Sequence, residues 1–317
     1  MLALEDAPDP EPGPGEVLIR LRASALNHLD IWVRKGLPSV PKPRILGADG
    51  AGVVEALGVD VDGLERGQPV VINPGIEAAD GTVQVVGEHG DGTNAQLIVV
   101  PASNVYPLPD RLSFEEAAAF PLVFETAYRM LVTRAALRAD EWVLLWGIGS
   151  GVSTAGLAIA KALGAHTIVT SSSDEKLARA RELGADVTVN HANGDVKGAV
   201  RQATADRGAD IVVEHVGEAT WRTSLDVAAR AGRIAVCGAT TGPNPPAGLH
   251  RVWWKELTIL GSTMGRKHDF ERVYDLVASG RVRPVVDEVL PLDQIRAAHA
   301  RLEAGQQLGK IVLAIPE

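Results

Sequence analysis

The stretch WVLLWGIGSGVSTAGLAIAKALG (Trp142–Gly164) joins an apolar run, a glycine-rich turn and an alanine-rich amphipathic segment. It predicts a strand, a tight turn and a helix, in that order. Such a turn is an anion site: the first N–H groups of a helix lack intrahelical partners, and the helix dipole places partial positive charge there. Gly147, Gly149 and Gly151 allow a sharp bend and close approach of a pyrophosphate, with Ser150 and Val152 completing the turn. The pattern is not a strict G-x-G-x-x-G, because Val152 takes the sixth place. No Lys-Ser/Thr pair follows, which excludes a nucleoside-triphosphate loop. A plain strand-to-helix turn would carry similar residues, so the flanking sequence decides.

Downstream, HTIVT is a strand and DEKLARARELG a helix with Gly184 just past its end. ADVTVN, VKGAVRQAT, ADIVVEHV, a helix near Ala219–Ala229, GRIAVCG and LTILGS continue the series. Strands alternating with helices of this length predict a doubly wound parallel sheet covered on both faces. Upstream, EVLIRLRASAL (Glu16–Leu26) alternates like a half-buried strand. AGVVEALG, GQPVVINPG and AQLIVVPASNVYPLP add short strands, so this part reads as a compact β domain. The texture changes at Ser113, where Glu116 three residues later makes a capping-box signal. In the tail, DFERVYDLVASG and DQIRAAHARLEAG read as helices, PVVDEVLPL and KIVLAI as strands.

The chain has 317 residues, enough for about two domains. Hydrophobic residues at 46% and charged residues at 22% place it among soluble globular proteins. Its one cysteine, Cys237, excludes an intramolecular disulfide and a cysteine-rich zinc site, and favours a reducing compartment; a cytoplasmic location is expected. A net charge of −9 opposes broad attraction to nucleic acid or anionic membrane. No apolar run reaches the roughly 18 residues of a membrane span. The opening MLALEDAPDPEPGPGE is acidic and proline-rich, unlike a signal or transit peptide.

The strand after the glycine turn bears on which dinucleotide is held. A carboxylate about 20 residues on binds the ribose 2′-OH of NAD. Here Ser171 stands at that place, in HTIVTSSSDEK. Ser171 and Ser172 can donate to a 2′-phosphate, and Lys176 can neutralise it, so NADP(H) is favoured over NAD(H). Asp174 and Glu175 weigh the other way, but acidic residues also suit a first helical turn.

The whole order resembles the medium-chain dehydrogenase/reductase superfamily. The resemblance rests on ALNHLDIWVRKG, ILGADGAGVVEALG, SFEEAAAFPL, the glycine turn with AIAKALGA, DEKLARARELGAD, GRIAVCGATTG, ILGSTMG and LGKIVL. It implies an α/β fold: a GroES-like catalytic β domain over 1–110 and 266–317, a Rossmann domain over 111–265, a cleft between them, and a homodimer. Family members usually begin with an extra strand, which is mostly missing before DAPDPEPGPGEV; a misassigned or truncated start is one expectation. The cysteine-rich lobe that holds a structural zinc in zinc-containing relatives is shortened here to IEAADGTVQVVGEHGDGTNAQ, without cysteine.

The resemblance also locates a catalytic metal site, and this sequence departs from it. The zinc branch takes ligands from a C-x-x-D cysteine, a G-H-E histidine, and a cysteine or acid four residues before a threonine. Here those places hold Asn27, Ala48 and Leu122, and Leu29 stands where a proton-relaying hydroxyl is kept. None of the three can hold Zn²⁺ tightly, so no zinc is expected. The eight histidines form no short H-x-x-H pair; Glu88-His89-Gly90-Asp91 is the nearest cluster and reads as a polar loop.

The metal-free branch resembles quinone and enone reductases, in which hydride from the nicotinamide adds to an already electrophilic acceptor. The expected partner is therefore a small conjugated carbonyl or quinone. Asn27 would offer an amide donor at the lost metal position, or simply end the strand as a turn residue. Asp30 would support the site by hydrogen bonds, or charge a helix N-terminus. Thr126 resembles the threonine beside the nicotinamide. His28 falls where the family contacts the pyrophosphate. Gly217, Gly238, Met264 and Gly265 end later strands, where ligands of open α/β sheets bind, and Lys310 lies where the last segment re-enters the cleft. Trp32, Phe124, Trp253 and Trp254 could wall a flat substrate or serve the core. Other readings are an alcohol or aldehyde dehydrogenase, an acyl-thioester enoyl reductase, and a non-catalytic NADPH-binding sensor.

Overall fold

The computed structural model describes residues 2–316. The chain forms two compact units, Met1–Leu122 with Arg266–Glu317, and Val123–Gly265.

The first unit is organised on β1 (Glu16–Ala25). Val17, Ile19, Leu21 and Ala23 are fully buried and alternate with partly exposed residues, the period of a strand with one face in the core. α1 (His28–Lys35) follows at once, with Asn27 as N-cap and Gly36 in the left-handed region at φ 88° ending it. Next come β2 (Asp49–Leu57), β3 (Pro69–Ile72), the hairpin β4 (Gly75–Glu77) and β5 (Val83–Val85), β6 (Leu97–Pro101) and β7 (Val105–Pro107). α2 (Phe114–Ala118) has the expected capping box between Ser113 and Glu116. The helix then breaks and restarts as α3 (Pro121–Tyr128). Proline has no N–H and its ring crowds the preceding turn, so Pro121 suits a first helical position and no later one. Residues 111–122, expected with the second domain, belong to the first unit, because α2 packs on β1, β2 and β3 and buries Ala117 and Ala118, with Phe120 buried just after it.

The second unit alternates β8 (Trp142–Leu145), α4 (Gly151–Ala162), β9 (His166–Ser171), α5 (Asp174–Glu182), β10 (Val187–Asn190), α6 (Val196–Ala203), β11 (Ala209–Glu214), α7 (Trp221–Val227), β12 (Ala228–Val236), α8 (Leu249–Lys255) and β13 (Thr258–Gly261). The sheet order is β10-β9-β8-β11-β12-β13 and every pairing is parallel. The order reverses between β8 and β11, which is where open α/β sheets form a crevice at their strand C-termini.

The chain then re-enters the first unit as α9 (Lys267–Ala278), β14 (Val286–Pro291), α10 (Ile295–Glu303) and β15 (Lys310–Ala314). Its main sheet runs β14-β15-β1-β2-β3-β7, with β6 also paired to β1. Ala25 pairs with Val312 on β15 and with Asp49 on β2, and the Leu26 N–H donates to the Ile311 carbonyl. This register carries Asn27, Asp49 and Lys310 to one place. Among the described residues no helix is long and apolar enough to cross a membrane.

Candidate active site

In the first unit, three strand ends and the start of α1 hold a buried polar cluster. Asn27, Asp30, Asp49 and Lys310 are 4%, 3%, 0% and 3% exposed, so their polar groups must satisfy one another. Lys310 Nζ donates to Asn27 Oδ1 at 2.6 Å and to Asp49 Oδ2 at 2.9 Å. Asn27 Nδ2 donates to Asp49 Oδ2 at 2.9 Å and, more weakly, to the Ala25 carbonyl at 3.4 Å. The remaining Asp49 oxygen, Oδ1, accepts from the Leu122 N–H at 2.8 Å. Asp30 turns away from this exchange: Oδ2 accepts from the Asn27 N–H at 2.7 Å and Oδ1 from the Gly47 N–H at 2.8 Å.

Each side chain therefore has a defined task. Asp30 ties the N-terminus of α1 to the loop before β2 through two main-chain bonds. Burial pushes its carboxyl up to about 6, against the pull of those bonds and of Lys310; the nearby Asp49 charge adds to the rise. The amide hydrogens of Asn27, expected to face an acceptor, are directed at Asp49 and Ala25. The group with a donor to spare is Lys310, which was expected to contact cofactor. Asp49 escaped notice in the sequence because it reads as the first residue of an ordinary β-strand. The signal that could have found it is its place directly after Ala48, at a lost metal position.

The donor set here is an amide, a carboxylate and an ammonium, with methyl and isobutyl groups at positions 48 and 122. An ammonium at bonding distance from both Asn27 and Asp49 repels a divalent ion, and no imidazole or thiolate accompanies them, so the residues do not fit tetrahedral zinc. Among the described residues no group of three or more His, Cys, Asp or Glu side chains could hold a metal. His89 is used locally, its Nδ1 accepting from the Val85 N–H. His28 is an exposed residue in the first turn of α1.

In the second unit, the glycine turn lies between the end of β8 and the start of α4. Gly147 takes φ 58°, and a side chain there would be strained. The Ile148 N–H donates to the Thr170 carbonyl on β9, fixing the turn against the neighbouring strand. Ser150 is the N-cap of α4, its Oγ accepting from the Ser153 N–H at 3.1 Å. No acidic residue lies in the first turn of α4, which leaves its positive end uncompensated. These features fit a dinucleotide pyrophosphate.

Two residues that support this turn from outside it were missed. A Cβ on Gly156 would lie 2.8 Å from Leu145 Cδ2, so Gly156 supplies the close helix–strand packing that Val152, in the sixth place, does not. It was legible as the glycine inside STAGLAIA. His215 Nε2 lies 2.9 Å from the Trp146 carbonyl and 3.0 Å from Ser153 Oγ, and burial holds its pKa down. A neutral imidazole thus braces the turn from the end of β11.

The other expected cofactor positions lie on the same sheet edge or beside it. Gly217 has φ 92°, and a Cβ there would meet the Gly242 carbonyl at 2.4 Å. Glu214, fully buried, gathers the loop by accepting from the Val216 and Gly217 N–H groups and the Thr220 and Ser224 hydroxyls. Gly238 follows β12, and Met264 and Gly265 follow β13. A Cβ on Gly265 would overlap the Glu125 side chain. Thr126 is buried on α3. At the end of β9, Ser171 is buried and its Oγ accepts from the Ser173 N–H, while Ser172 is exposed and Lys176 half-buried in the first turn of α5. The Cys237 thiol is pushed up to about 12 by burial and by the Glu214 charge, so it is no nucleophile. Phe124 is core, whereas Trp253 and Trp254 are exposed.

Two family models match the chain, one in each half. Residues 13–110 match the alcohol dehydrogenase GroES-like domain and residues 151–279 match the zinc-binding dehydrogenase domain. The chain is 35% identical to a zinc-type alcohol dehydrogenase-like protein of Schizosaccharomyces pombe, over 95% of this chain and 91% of that one. It is 32% identical to a quinone oxidoreductase of Pseudomonas aeruginosa, over 99% and 95%. It is 31% identical to a crotonyl-CoA reductase of Streptomyces avermitilis, over 98% and 82%. A crystal structure of an NAD-dependent alcohol dehydrogenase superposes with a TM-score of 0.95 at 44% identity, covering 98% of this chain and 95% of that one. With a GroES-like domain, a parallel sheet carrying a dinucleotide turn, and this kinship, the chain belongs to the medium-chain dehydrogenase/reductase superfamily and is an oxidoreductase that uses a nicotinamide cofactor.

Proposed function

We propose that the protein transfers hydride from NADPH to a quinone or an α,β-unsaturated carbonyl without a metal ion. The observation that carries this reading is the Lys310 ammonium bonded to Asn27 and Asp49, at the position where zinc-bearing relatives are expected to place their ligands. Oxidising an alcohol requires its hydroxyl to be deprotonated, which a zinc ion promotes by lowering the pKa. A fixed ammonium has the opposite use: it stabilises negative charge that develops on an acceptor oxygen. The cofactor supplies the hydride. The chain's residues grip its pyrophosphate at the N-terminus of α4, position the acceptor, and keep water out. Asn27, Asp30 and Thr126 are the proposed site residues, and His28, Gly147, Gly149, Ser150, Gly151, Val152, Ser171, Ser172, Lys176, Gly217, Gly238, Met264 and Gly265 the proposed cofactor contacts.

NADPH is favoured because the end of β9 carries Ser171 and Ser172 in place of a carboxylate, with Lys176 nearby. A second reading, an NAD-dependent alcohol dehydrogenase, draws support from the solved structure at 44% identity. One assay separates the two: purified protein, assayed for metal content, is offered 9,10-phenanthrenequinone, trans-2-hexenal and a primary alcohol with each cofactor. Reduction of the first two by NADPH in metal-free protein is expected. Turnover of the alcohol alone, or stoichiometric zinc, refutes the proposal; cofactor binding without any turnover points to a sensor.

A homodimer in a cytoplasmic setting is part of the same proposal. β13 is an edge strand of the second unit's sheet, and Ile259 on it and Leu249, Trp253 and Trp254 on α8 are exposed. An edge with exposed apolar residues favours pairing with a second copy. A monomer by analytical ultracentrifugation would refute this part.

A further inference from the structure

We propose that Lys310 is the catalytic electrophile of this site, donating its third N–H to the acceptor's carbonyl or quinone oxygen, and that Asp49 and Asn27 are positioning residues that aim it. This rests on the hydride-to-acceptor reading above and adds to it the group that receives the charge.

An ammonium has three donors. In Lys310 two of them are committed, to Asn27 Oδ1 and Asp49 Oδ2, and the third has no acceptor among the described residues. A donor left over on a 3% exposed cation is costly in the resting protein. It becomes useful when an oxygen arrives. The side chain cannot swing away, since two short bonds hold the nitrogen and Asp49 is itself pinned by the Leu122 N–H and Asn27 Nδ2. Asn27 therefore acts through Lys310, and its amide oxygen orients the ammonium without adding a second negative charge. With Asp49 as the single counter-charge at bonding distance, the pair is neutral until the acceptor oxygen becomes anionic, and the cation then meets the new charge without reorganisation.

The electron count for an enal is as follows. The β-carbon gains a hydride from the dihydronicotinamide, which is oxidised by two electrons. The carbon–carbon π pair moves to form the enolate, with negative charge on the oxygen that accepts the Lys310 hydrogen bond. The α-carbon then takes a proton from water, and the carbonyl re-forms. Lys310 keeps its proton throughout. With a quinone the same bond stabilises the hydroquinone anion before it is protonated by water.

The test uses the full-length protein with NADPH, and with 9,10-phenanthrenequinone and trans-2-hexenal as acceptors. Lys310→Ala should lower kcat for both by about 10²–10³-fold, the effect of removing one oxyanion donor. The loss should be greater for the enal, which is less electrophilic, and the NADPH dissociation constant should stay within a few-fold of wild type. Added methylammonium or ethylammonium should restore part of the activity of Lys310→Ala, which a purely structural lysine would not allow. Lys310→Arg, which keeps the charge but not the geometry, should fall between, and Asp49→Leu/Lys310→Met serves if the single variant does not fold. Full kcat with weakened NADPH binding in these variants would overturn the proposal and make Lys310 a phosphate contact. Unchanged turnover of both acceptors would overturn it outright. Wild-type protein that reduces neither acceptor would instead refute the reading on which the proposal rests.

Discussion

Replacing Asp49 by Asn should unfold the first unit far more easily, and the size of the loss follows from the geometry. Asp49 is fully buried and accepts three hydrogen bonds, from Lys310 Nζ at 2.9 Å, Asn27 Nδ2 at 2.9 Å and the Leu122 N–H at 2.8 Å. In Asp49→Asn one oxygen survives, and it can still serve Leu122. The other position becomes an NH₂ that faces two donors, and Lys310 is left as a buried cation without a counter-charge at bonding distance. Breaking a buried pair in this way costs about 3–5 kcal/mol. With a urea m-value of roughly 2 kcal/mol/M, the midpoint of the first unit should fall by about 1.5–2.5 M. The reciprocal change should cost less, since in Lys310→Met the Asp49 carboxylate keeps its two N–H donors. The double variant Asp49→Leu/Lys310→Met removes both charges and should recover to within about 1 kcal/mol of wild type, because apolar replacement of a buried pair is often neutral. Urea titrations followed by tryptophan fluorescence and by circular dichroism would read these shifts; two units make it necessary to compare probes before assuming a single transition. A midpoint shift below about 0.3 M for Asp49→Asn, or a double variant no better than the single one, would refute the reasoning.

Three further outcomes are expected. Gly156→Ala gains about 1 kcal/mol of helix propensity, but places a methyl 2.8 Å from Leu145 Cδ2 in a fully buried setting. Overpacking costs about 1–3 kcal/mol, so thermal denaturation should show a small net loss; a stabilised variant would contradict the packing role. His299 is fully buried with neither ring nitrogen bonded among the described residues, and burial lowers its pKa from 6.5 to about 4. Below pH 6.5 the unfolded chain takes a proton that the folded one refuses, so this residue's contribution to stability is present above 6.5 and is lost as pH falls towards 4. The loss reaches about 3 kcal/mol. Asp30, raised to about 6, acts with the opposite sign, weakening the fold as pH rises from 3.8 to 6. Subtracting the pH profile of His299→Leu from that of wild type isolates the histidine, and parallel profiles would show that its burial is harmless. Ser172→Asp puts a carboxylate at the exposed position just past β9, and should raise the NADPH dissociation constant at least tenfold relative to that of NADH. An unchanged ratio in binding titrations would remove the serine argument.

The sequence alone determined the elements whose causes are local. Ser113 and Glu116 announced a helix start because a capping box is closed within four residues. The alternation in EVLIRLRASAL gave away a strand because side chains change face at every residue. Gly147 to Val152 announced a tight strand-to-helix turn because a positive-φ glycine and a serine N-cap act within a few residues. The lack of cysteine, histidine or carboxylate at positions 27, 48 and 122 was also legible, since methyl and isobutyl groups carry no donor atom and a neutral amide is a weak zinc ligand in any fold. What tertiary structure decided is which groups those residues meet. Lys310 stands 283 residues from Asn27 and 261 from Asp49, and only the joint register of β15, β1 and β2 makes them neighbours. The same holds for His215 behind the glycine turn and for Leu145 under Gly156. Periodicity and turn chemistry are short-ranged, whereas strand pairing is chosen by the whole core, so the partner of a buried charge is written in no local pattern.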